Sequence, residues 1–459
     1  MAVWNIIKLT DIRPDRCDAE YFRKDYKENL DFLNATGSTT TLGRLFKKVE
    51  RGEKPEYQKV GPIPVLRSVN IRALDFNDTR QEYVTENFYN SKPRGQVLKD
   101  DILFTCTGTG TLGRTSIWFK DTKAFNVPEN SFLRDPIDID PYLIAAFFNT
   151  PYGIEQLFQH QRGSSGQLHL YPVDIRRIIV PECLFPYQQE IGDYLRKAFA
   201  LQQKSSDLYK EAVTLLSDAL GLDKIVYSNA NFYTTTNIDC VRERIIDPKY
   251  HHPKFEQIEN HLRNNFETVE LRKIADVEYG YMPMQDYEKD PNKGIPLIRV
   301  TNITDHLEIK MEDLKFIPNW VQIPRKKYVE KGDILMVQLG DTTGKVGYIF
   351  EDVKNHLFPS FCLSVKVKDD RFNSLFLSAL LKSELIQILF DKTVLINTVR
   401  PNTTKPRFEK LLIPLFEMDF QLKIAALLEK SFLAKKESKL LIEMAKQRVV
   451  EIIKESAIK

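Results

Sequence analysis

The sequence predicts an α+β protein that is one unit written twice: two tandem α/β domains separated by two long antiparallel helices that form a coiled-coil spacer, a pseudo-twofold internal repeat. Three observations predict it. Ile63-Pro64-Val65-Leu66-Arg67-Ser68-Val69-Asn70-Ile71 aligns with Ile295-Pro296-Leu297-Ile298-Arg299-Val300-Thr301-Asn302-Ile303, sharing Ile, Pro, Arg, Asn and Ile in matching places. At the same spacing Asp101-Ile102-Leu103 meets Asp333-Ile334-Leu335 and Gly108 meets Gly340, so a long-period repeat decides the architecture before any motif is weighed. Each copy then ends in apolar residues stepped by three and four, the spacing of a helical seam.

Taken in order, each copy opens on a helical lead-in, with Asp18-Ala19-Glu20-Tyr21 answered by Asp247-Pro248-Lys249-Tyr250. Leu42 pairs with Leu271, and the G-x-x-P of Gly52 and Pro55 pairs with Gly280 and Pro283. The middles are mostly β: Ile63 to Ile71, Gln96 to Cys106 and Thr115 to Phe119 are rich in Val, Ile, Phe and Thr and punctuated by turn residues, as are Ile295 to Ile303, Asp333 to Val337 and Val346 to Phe350. One helix interrupts each middle, Pro141 to Phe148 continuing toward Phe158, and Ser374 to Phe390. The closing strands Ile178-Ile179-Val180-Pro181 and Leu411-Leu412-Ile413-Pro414 precede Gln188 with Ile191 and Gln421 with Ile424.

The terminal seams run Ile191, Tyr194, Ala198, Leu201, Ser205, Leu208, Ala212, Leu215, Ala219 and Ile424, Leu427, Ser431, Ala434, Ser438, Leu441, Ala445, Arg448, Ile452. Only Arg448 interrupts the pattern, and Val449 can take its place. Gly221 is a C-terminal stop for the first. At 1.5 Å per residue, Tyr187 to Leu220 and Phe420 to Ile453 are rods of about 50 Å. The expected division is 1–182 and 222–415 for the domains, and 183–221 and 416–459 for the spacer helices. The bland alternative is that each helix lies along its own globule as a core helix.

Composition excludes several classes. The chain has 459 residues, 42% hydrophobic and 28% charged, ordinary for a globular protein. Its 66 Lys+Arg against 63 Asp+Glu leave +3, so any basic footprint is local. The five cysteines (Cys17, Cys106, Cys183, Cys240, Cys362) are far apart and never C-x-x-C, against a disulfide framework or a thiolate metal site. With no basic leader and no run of about 18 apolar residues, the expectation is a cytoplasmic protein, neither exported nor membrane-spanning.

No motif supplies catalysis. Gly108-Thr109-Gly110-Thr111-Leu112-Gly113 matches the dinucleotide fingerprint, but β-rich Arg114 to Phe119 follows where a helix is required, so the reading is a strand-turn-strand loop whose N–H groups can face a phosphate. Asn149-Thr150-Pro151-Tyr152 lacks the second residue of the N-P-P-Y loop that amino-methyltransferases use. Pro14-Asp15 with Asp25-Tyr26-Lys27 reads as a solvated face rather than a nuclease centre, since the second copy offers Lys254-Phe255-Glu256. The seven histidines have no zinc spacing, and neither a Gly-x-Ser-x-Gly elbow nor a Walker loop occurs. No catalytic and no metal residues are assigned; a duplicated chain without such equipment points to a binding protein.

The ordered landmarks resemble the specificity (S) subunit of type I restriction-modification enzymes. They are Asp18 to Phe22, Leu42-Gly43, Gly52 to Pro55, Ile63-Pro64 through Arg67 and Asn70-Ile71, Asp101-Ile102-Leu103, then Pro181, Gln188 and Ile191. They return at Gly280 to Pro283, Ile295-Pro296, Arg299, Asn302-Ile303, Gly332 to Leu335, Pro414, Gln421 and Ile424, so the resemblance covers nearly the whole chain. It departs at Lys99-Asp100-Asp101, where the second copy has Lys331-Gly332-Asp333.

The resemblance implies two target-recognition domains, each reading one half of a split asymmetric site in double-stranded DNA. It implies helices that dock two modification (methyltransferase) subunits, and an assembly that includes restriction/translocase subunits. The chain itself would be non-catalytic and bind no cofactor, with S-adenosylmethionine, ATP and Mg on the partner subunits and no membrane partner. A 50 Å rod spans at most about 15 base pairs at 3.4 Å each, and half-sites about one helical turn apart suit that.

Base edges need Arg, Lys, Asn, Gln, Ser or Thr in reach, and phosphates need cations. The candidate DNA-contacting residues of the first copy are therefore Arg51, Lys54, Tyr57, Lys59, Arg67, Asn70, Arg72, Thr107, Thr109, Arg114, Arg162, Ser164, Ser165 and Gln167. Those of the second are Tyr281, Gln285, Arg299, Asn302, Gln338, Thr342, Thr343, Lys345, Arg400, Asn402, Thr403, Thr404 and Lys405. Arg67 and Asn70 also qualify as buried structural groups, because they repeat while two half-sites should differ. Arg162 and Arg400 are the expected base readers. The competing classes are a coiled-coil scaffold without DNA, which would show no salt-dependent DNA affinity, and a nicotinamide enzyme, which would bind dinucleotide.

Overall fold

The computed structural model describes residues 7, 12, 15–78, 80–108, 110–163, 168–225, 233–234, 240, 245–395 and 400–458. Its contacts divide the chain into two compact units, Met1–Gln203 with Lys435–Lys459, and Lys204–Ala434.

In the first unit the lead-in helix Lys24–Ala35 buries Tyr26, Asn29 and Leu33. Thr39–Thr41 pairs antiparallel with Ile179–Pro181, tying the start of the unit to its closing strand. The main sheet is antiparallel in the order Phe46–Arg51, Asn130–Pro136, Ile102–Thr105, Thr115–Ile117. Its inner strand Ile102–Thr105 is buried at every position, which is why Ile-Leu-Phe-Thr is a continuous rather than an alternating apolar run. A second sheet runs Glu82–Val84, Ile63–Leu66, Ala124–Asn126, Gln96–Val97, with the central pair parallel.

The second unit has the same strand orders. Its main sheet is Ala275–Tyr279, Cys362–Val367, Ile334–Val337, Val346–Tyr348, with Leu307–Glu308 added parallel at the edge. Its second sheet is Lys315–Pro318, Gly294–Leu297, His356–Leu357, Tyr328–Val329. Thr268–Glu270 pairs with Leu412–Pro414 as the closing ladder.

The repeated residues are the ones that make the turns. In the first unit the Arg67 N–H donates to Asn70 Oδ1 (3.1 Å) while Asn70 Nδ2 donates to the Asn77 carbonyl (3.0 Å). In the second the Arg299 N–H donates to Asn302 Oδ1 (2.8 Å) and Asn302 Nδ2 to the Glu312 carbonyl (3.0 Å). The side chain thus replaces a ladder partner and ends the strand, so the apolar runs from Ile63 and from Ile295 stop at Leu66 and Leu297. Asp101 works similarly: its Oδ2 accepts from the Leu98 N–H (2.8 Å) and it pairs with Arg134, while Asp333 accepts from the Glu330 N–H (2.8 Å) and pairs with Lys366. Just before these aspartates, Gly332 at φ +96° is replaced in the first unit by Asp100 at φ +68°, a backbone region Asp tolerates better than most residues. The Asp100 carboxylate accepts the Tyr142 hydroxyl (2.8 Å) there.

Each middle holds two helices rather than the single one expected. Pro141–Phe147, capped by the Asp140 carboxylate on the Tyr142 N–H, ends before Pro151–Gln159 begins. Pro151 has no N–H to continue the ladder and starts the next helix at its first position. In the second unit Ser374–Lys382 stops at Ser383, extended at ψ 146°, and Glu384–Thr393 follows. The Gln387 side chain closes that break, its Nε2 donating to the orphaned Leu381 carbonyl (2.7 Å).

The long helices are Gln188–Leu220 and Met418–Ile458. Within the first unit their segments run antiparallel, with Arg448 Nε on Glu190 (3.0 Å) and Lys197 on Glu437 (2.9 Å). Val449 is buried where Arg448 is not, which restores the seam. Within the second unit Ser205 and Ser431 hydroxyls meet at 3.0 Å. The buried stripe is wider than the expected seam, because Leu195, Phe199 and Ile453 also join the first unit's core, and Leu216, Leu220, Leu428 and Phe432 the second's. A helix that serves a partner helix and a globule together needs more than an a/d line. Gly221, at φ +65°, ends the first helix as expected.

Candidate nucleic-acid interface

Four loops meet at one end of the main sheet in each unit. In the first, the Cys106 N–H donates to the Glu129 carbonyl (2.8 Å) and the Leu170 N–H to the Cys106 carbonyl (2.9 Å), while the Gly52 N–H reaches the Asn130 carbonyl (3.1 Å). In the second, the Gln338 N–H donates to the Phe361 carbonyl (2.8 Å), the Thr403 N–H to that of Gln338 (2.9 Å) and the Gly280 N–H to that of Cys362 (3.2 Å). The glycine of the G-x-x-P loop is required by this convergence: a Cβ at Gly52 would lie 2.3 Å from the Asn126 carbonyl oxygen, and at Gly280 2.0 Å from that of Pro359.

The glycine loop is a hairpin turn, as read from its flanks. Gly108, Gly110 and Gly113 have φ of +105°, +80° and +83°, and the strand Thr115–Ile117 returns antiparallel along Ile102–Thr105. In the second unit Gly340 and Gly344 keep +105° and +93°. Thr107 bridges to His169, and so does Arg162, so these three residues of the first unit lie side by side. Leu339 bridges to Asn402, and the Gly340 N–H donates to the Pro401 carbonyl (3.0 Å) in the second.

The candidates divide into those the fold consumes and those it presents. Asn70 and Asn302 are 0% and 4% exposed, with their amides spent on the backbone bonds above; burial removes them from contact, and they position turns. Arg67 bonds Glu82 (3.2 Å) and the Arg80 carbonyl, and Arg299 bonds Asp313 (2.6 Å), so both fasten neighbouring segments. Arg162, expected to read a base, instead forms two 2.7 Å bonds with the buried Asp174, and that partner holds its pKa above the ordinary arginine range. Its guanidinium anchors the loop. Thr403 is buried against Thr393 (2.8 Å), Gln338 donates to the Ser360 carbonyl (2.6 Å), and Thr343 donates to the Gly340 carbonyl (2.6 Å).

Lys54, Tyr57, Lys59, Thr342 and Arg400 are exposed on these loops. Tyr57 is pushed above the ordinary phenol range by partial desolvation of its ring and then by Glu129. Arg72 lies near Arg114; burial first, then that like charge, lowers it from the usual arginine range. Arg114 donates to the Gly110 carbonyl (3.1 Å), Thr107 and Asn402 contribute backbone bridges, and Thr404 precedes the short helix Lys405–Phe408. Lys345 pairs with Asp305 (3.1 Å), Lys405 with Glu278 (3.5 Å), and Tyr281 with Gln285 (3.0 Å). Thr109, Ser164, Ser165 and Gln167 lie outside the described residues.

The motifs set aside are also placed. Asn149 gives its amide to the Thr115 and Ala145 carbonyls, a structural use. Asp15 pairs with Arg162 and Arg177. Among the described residues no group of His, Cys, Asp and Glu is placed to hold a metal.

Residues 263–443 match the family described as Type I restriction modification DNA specificity domain. That stretch lies in the second half of the chain. No curated protein sequence matches it significantly. Among solved structures, the type I restriction-modification S subunit from M. genitalium is 12% identical, covering 91% of this chain and 95% of its own, with a TM-score of 0.47. The HsdS subunit from Thermoanaerobacter tengcongensis is 14% identical over 91% and 96%, with a TM-score of 0.29. A chain from a structure concerning complex assembly and conformational transition of the type I R-M system is 15% identical over 92% and 97%, with a TM-score of 0.29.

In this chain the sequence reading missed two tyrosines. Tyr171 lies at the loop end against Arg51, whose guanidinium carbon sits 4.9 Å from the ring centroid. Tyr279 accepts the Lys405 N–H through its hydroxyl (2.8 Å). The available signal was position: Tyr279 precedes Gly280 as Arg51 precedes Gly52.

Proposed function

We propose that this chain is a DNA specificity subunit that reads a bipartite asymmetric site in double-stranded DNA, one half-site per recognition domain, and docks two modification subunits and the restriction/translocase subunits. The observation that carries the reading is the repeated loop cluster: the same four loops converge at the same end of the same sheet in both units, with different side chains on them. A scaffold built twice to present different polar residues suits two different half-sites. On this reading residues 1–182 and 222–415 are tandem target-recognition domains related by a pseudo-twofold repeat, and the long helices are an antiparallel coiled-coil spacer. Rods of about 50 Å suit half-site centres about one turn of DNA apart.

The chain contributes recognition and no catalytic group; S-adenosylmethionine, ATP and Mg belong to its partners. A cytoplasmic location accords with five unpaired thiols, and among the described residues no helix is long and apolar enough to cross a membrane. Genome-wide methylation mapping of the source cell with and without this gene tests the reading. Loss of N6-methyladenine at one split motif is the expected result. Unchanged methylation, together with no salt-dependent DNA binding by the co-purified complex, would leave a scaffold instead.

A further inference from the structure

Arg51 is held in an unusual way for an arginine at the end of an edge strand. Its guanidinium lies on the Tyr171 ring at 4.9 Å, and Nη2 donates to the Leu170 carbonyl (3.2 Å). Nε is buried and unpartnered. The His169 ring stands 6.0 Å from that of Tyr171, tilted by 38°. One hydrogen bond and one ring contact restrain the guanidinium before any ligand arrives. Nε is shut away from solvent and Nη2 spends one hydrogen on Leu170, so Nη1 and the second hydrogen of Nη2 are left for a ligand.

The position of this pair gives it meaning. Arg51 precedes Gly52 and Leu170 bonds Cys106; in the second unit Tyr279 precedes Gly280 and Thr403 bonds Gln338. Arg51 and Tyr171 therefore occupy the places held by Tyr279 and Thr404. Residues that shape the two units recur, as Gly52 and Gly280, Asn70 and Asn302, or Asp101 and Asp333 do. This place keeps its backbone and changes its chemistry, from a guanidinium over a tyrosine ring to a phenol that caps the Lys405 N–H.

We propose that Arg51, held against the Tyr171 ring, is a specificity-determining residue that reads one guanine in the half-site of the first unit. A planar fork presenting two parallel N–H groups matches guanine O6 and N7 in the major groove, the commonest base-specific use of arginine. Tyr171 is a positioning residue that restrains the fork. The proposal rests on the DNA-recognition reading above.

The test is methylation-motif mapping with the full modification complex carrying Arg51→Lys, Tyr171→Ala or Tyr171→Phe, beside the unaltered complex. Arg51→Lys keeps the charge and removes the fork, so preference for guanine at one position should fall about tenfold to a hundredfold while the other half-site stays as it was. Tyr171→Ala should relax the same position, and Tyr171→Phe, which keeps the ring, should restore it. An unchanged motif in Arg51→Lys, or a loss spread over every sequence alike, overturns the guanine assignment. If the unaltered complex methylates no split motif, the DNA-recognition reading itself fails and the proposal with it.

Discussion

At Gly52 the backbone of one loop crosses another so closely that a methyl group has no room, and Gly280 repeats the crossing. Gly52→Ala or Gly280→Ala should each cost about 1–3 kcal/mol, the range for forcing extra carbon into a packed site. The check is the denaturant midpoint; an unshifted midpoint would mean that the loops do not converge as described. The repeated Asn and Asp residues belong to the same class of local determinant, since each replaces a missing ladder bond with its own side chain. Their roles were half legible in the sequence. Recurrence marked Asn70 and Asn302 as structural, but the same polar chemistry also qualified them as DNA-binding groups, and only burial separates the two.

Among the elements, the long helices carry a testable flaw. Ser438 is 1% exposed and its hydroxyl has no hydrogen-bond partner among the described residues, whereas Ser205 and Ser431 satisfy each other. Ser438→Ala removes an orphaned polar group and raises helix propensity, so it should stabilise the chain by about 1 kcal/mol, seen as a higher unfolding midpoint. A lower midpoint would show that the hydroxyl is satisfied in solution. The helix seams were readable because spacing by three and four survives any context. The broken middle helices were less so. Pro151 announced one break, but Ser383 has no such signature, and that turn depends on Gln387 satisfying the freed carbonyl.

For the molecule as a whole, exposed cations on the convergent loops should set affinity without setting sequence. Replacing Lys54 and Lys59 by Gln is expected to weaken DNA binding by the assembled complex for every sequence alike, and to reduce the salt slope by about one for each phosphate no longer neutralised. Binding isotherms across a salt series on cognate and scrambled duplexes measure this. Weakening confined to the cognate duplex would make these lysines base readers.

The sequence by itself determined the repeat, the α+β character, the strand-turn-strand nature of the glycine loop and the two long helices, because each rests on local periodicity or on turn chemistry that a few adjacent residues fix. Tertiary structure decided which polar side chains are spent and which are presented. Arg162 looked like a reader until Asp174, twelve positions away, claimed its guanidinium. Arg51 gained its orientation from Tyr171 and Leu170, more than a hundred residues distant. Whether a charged group meets DNA or a buried carboxylate depends on long-range packing, which no local pattern encodes.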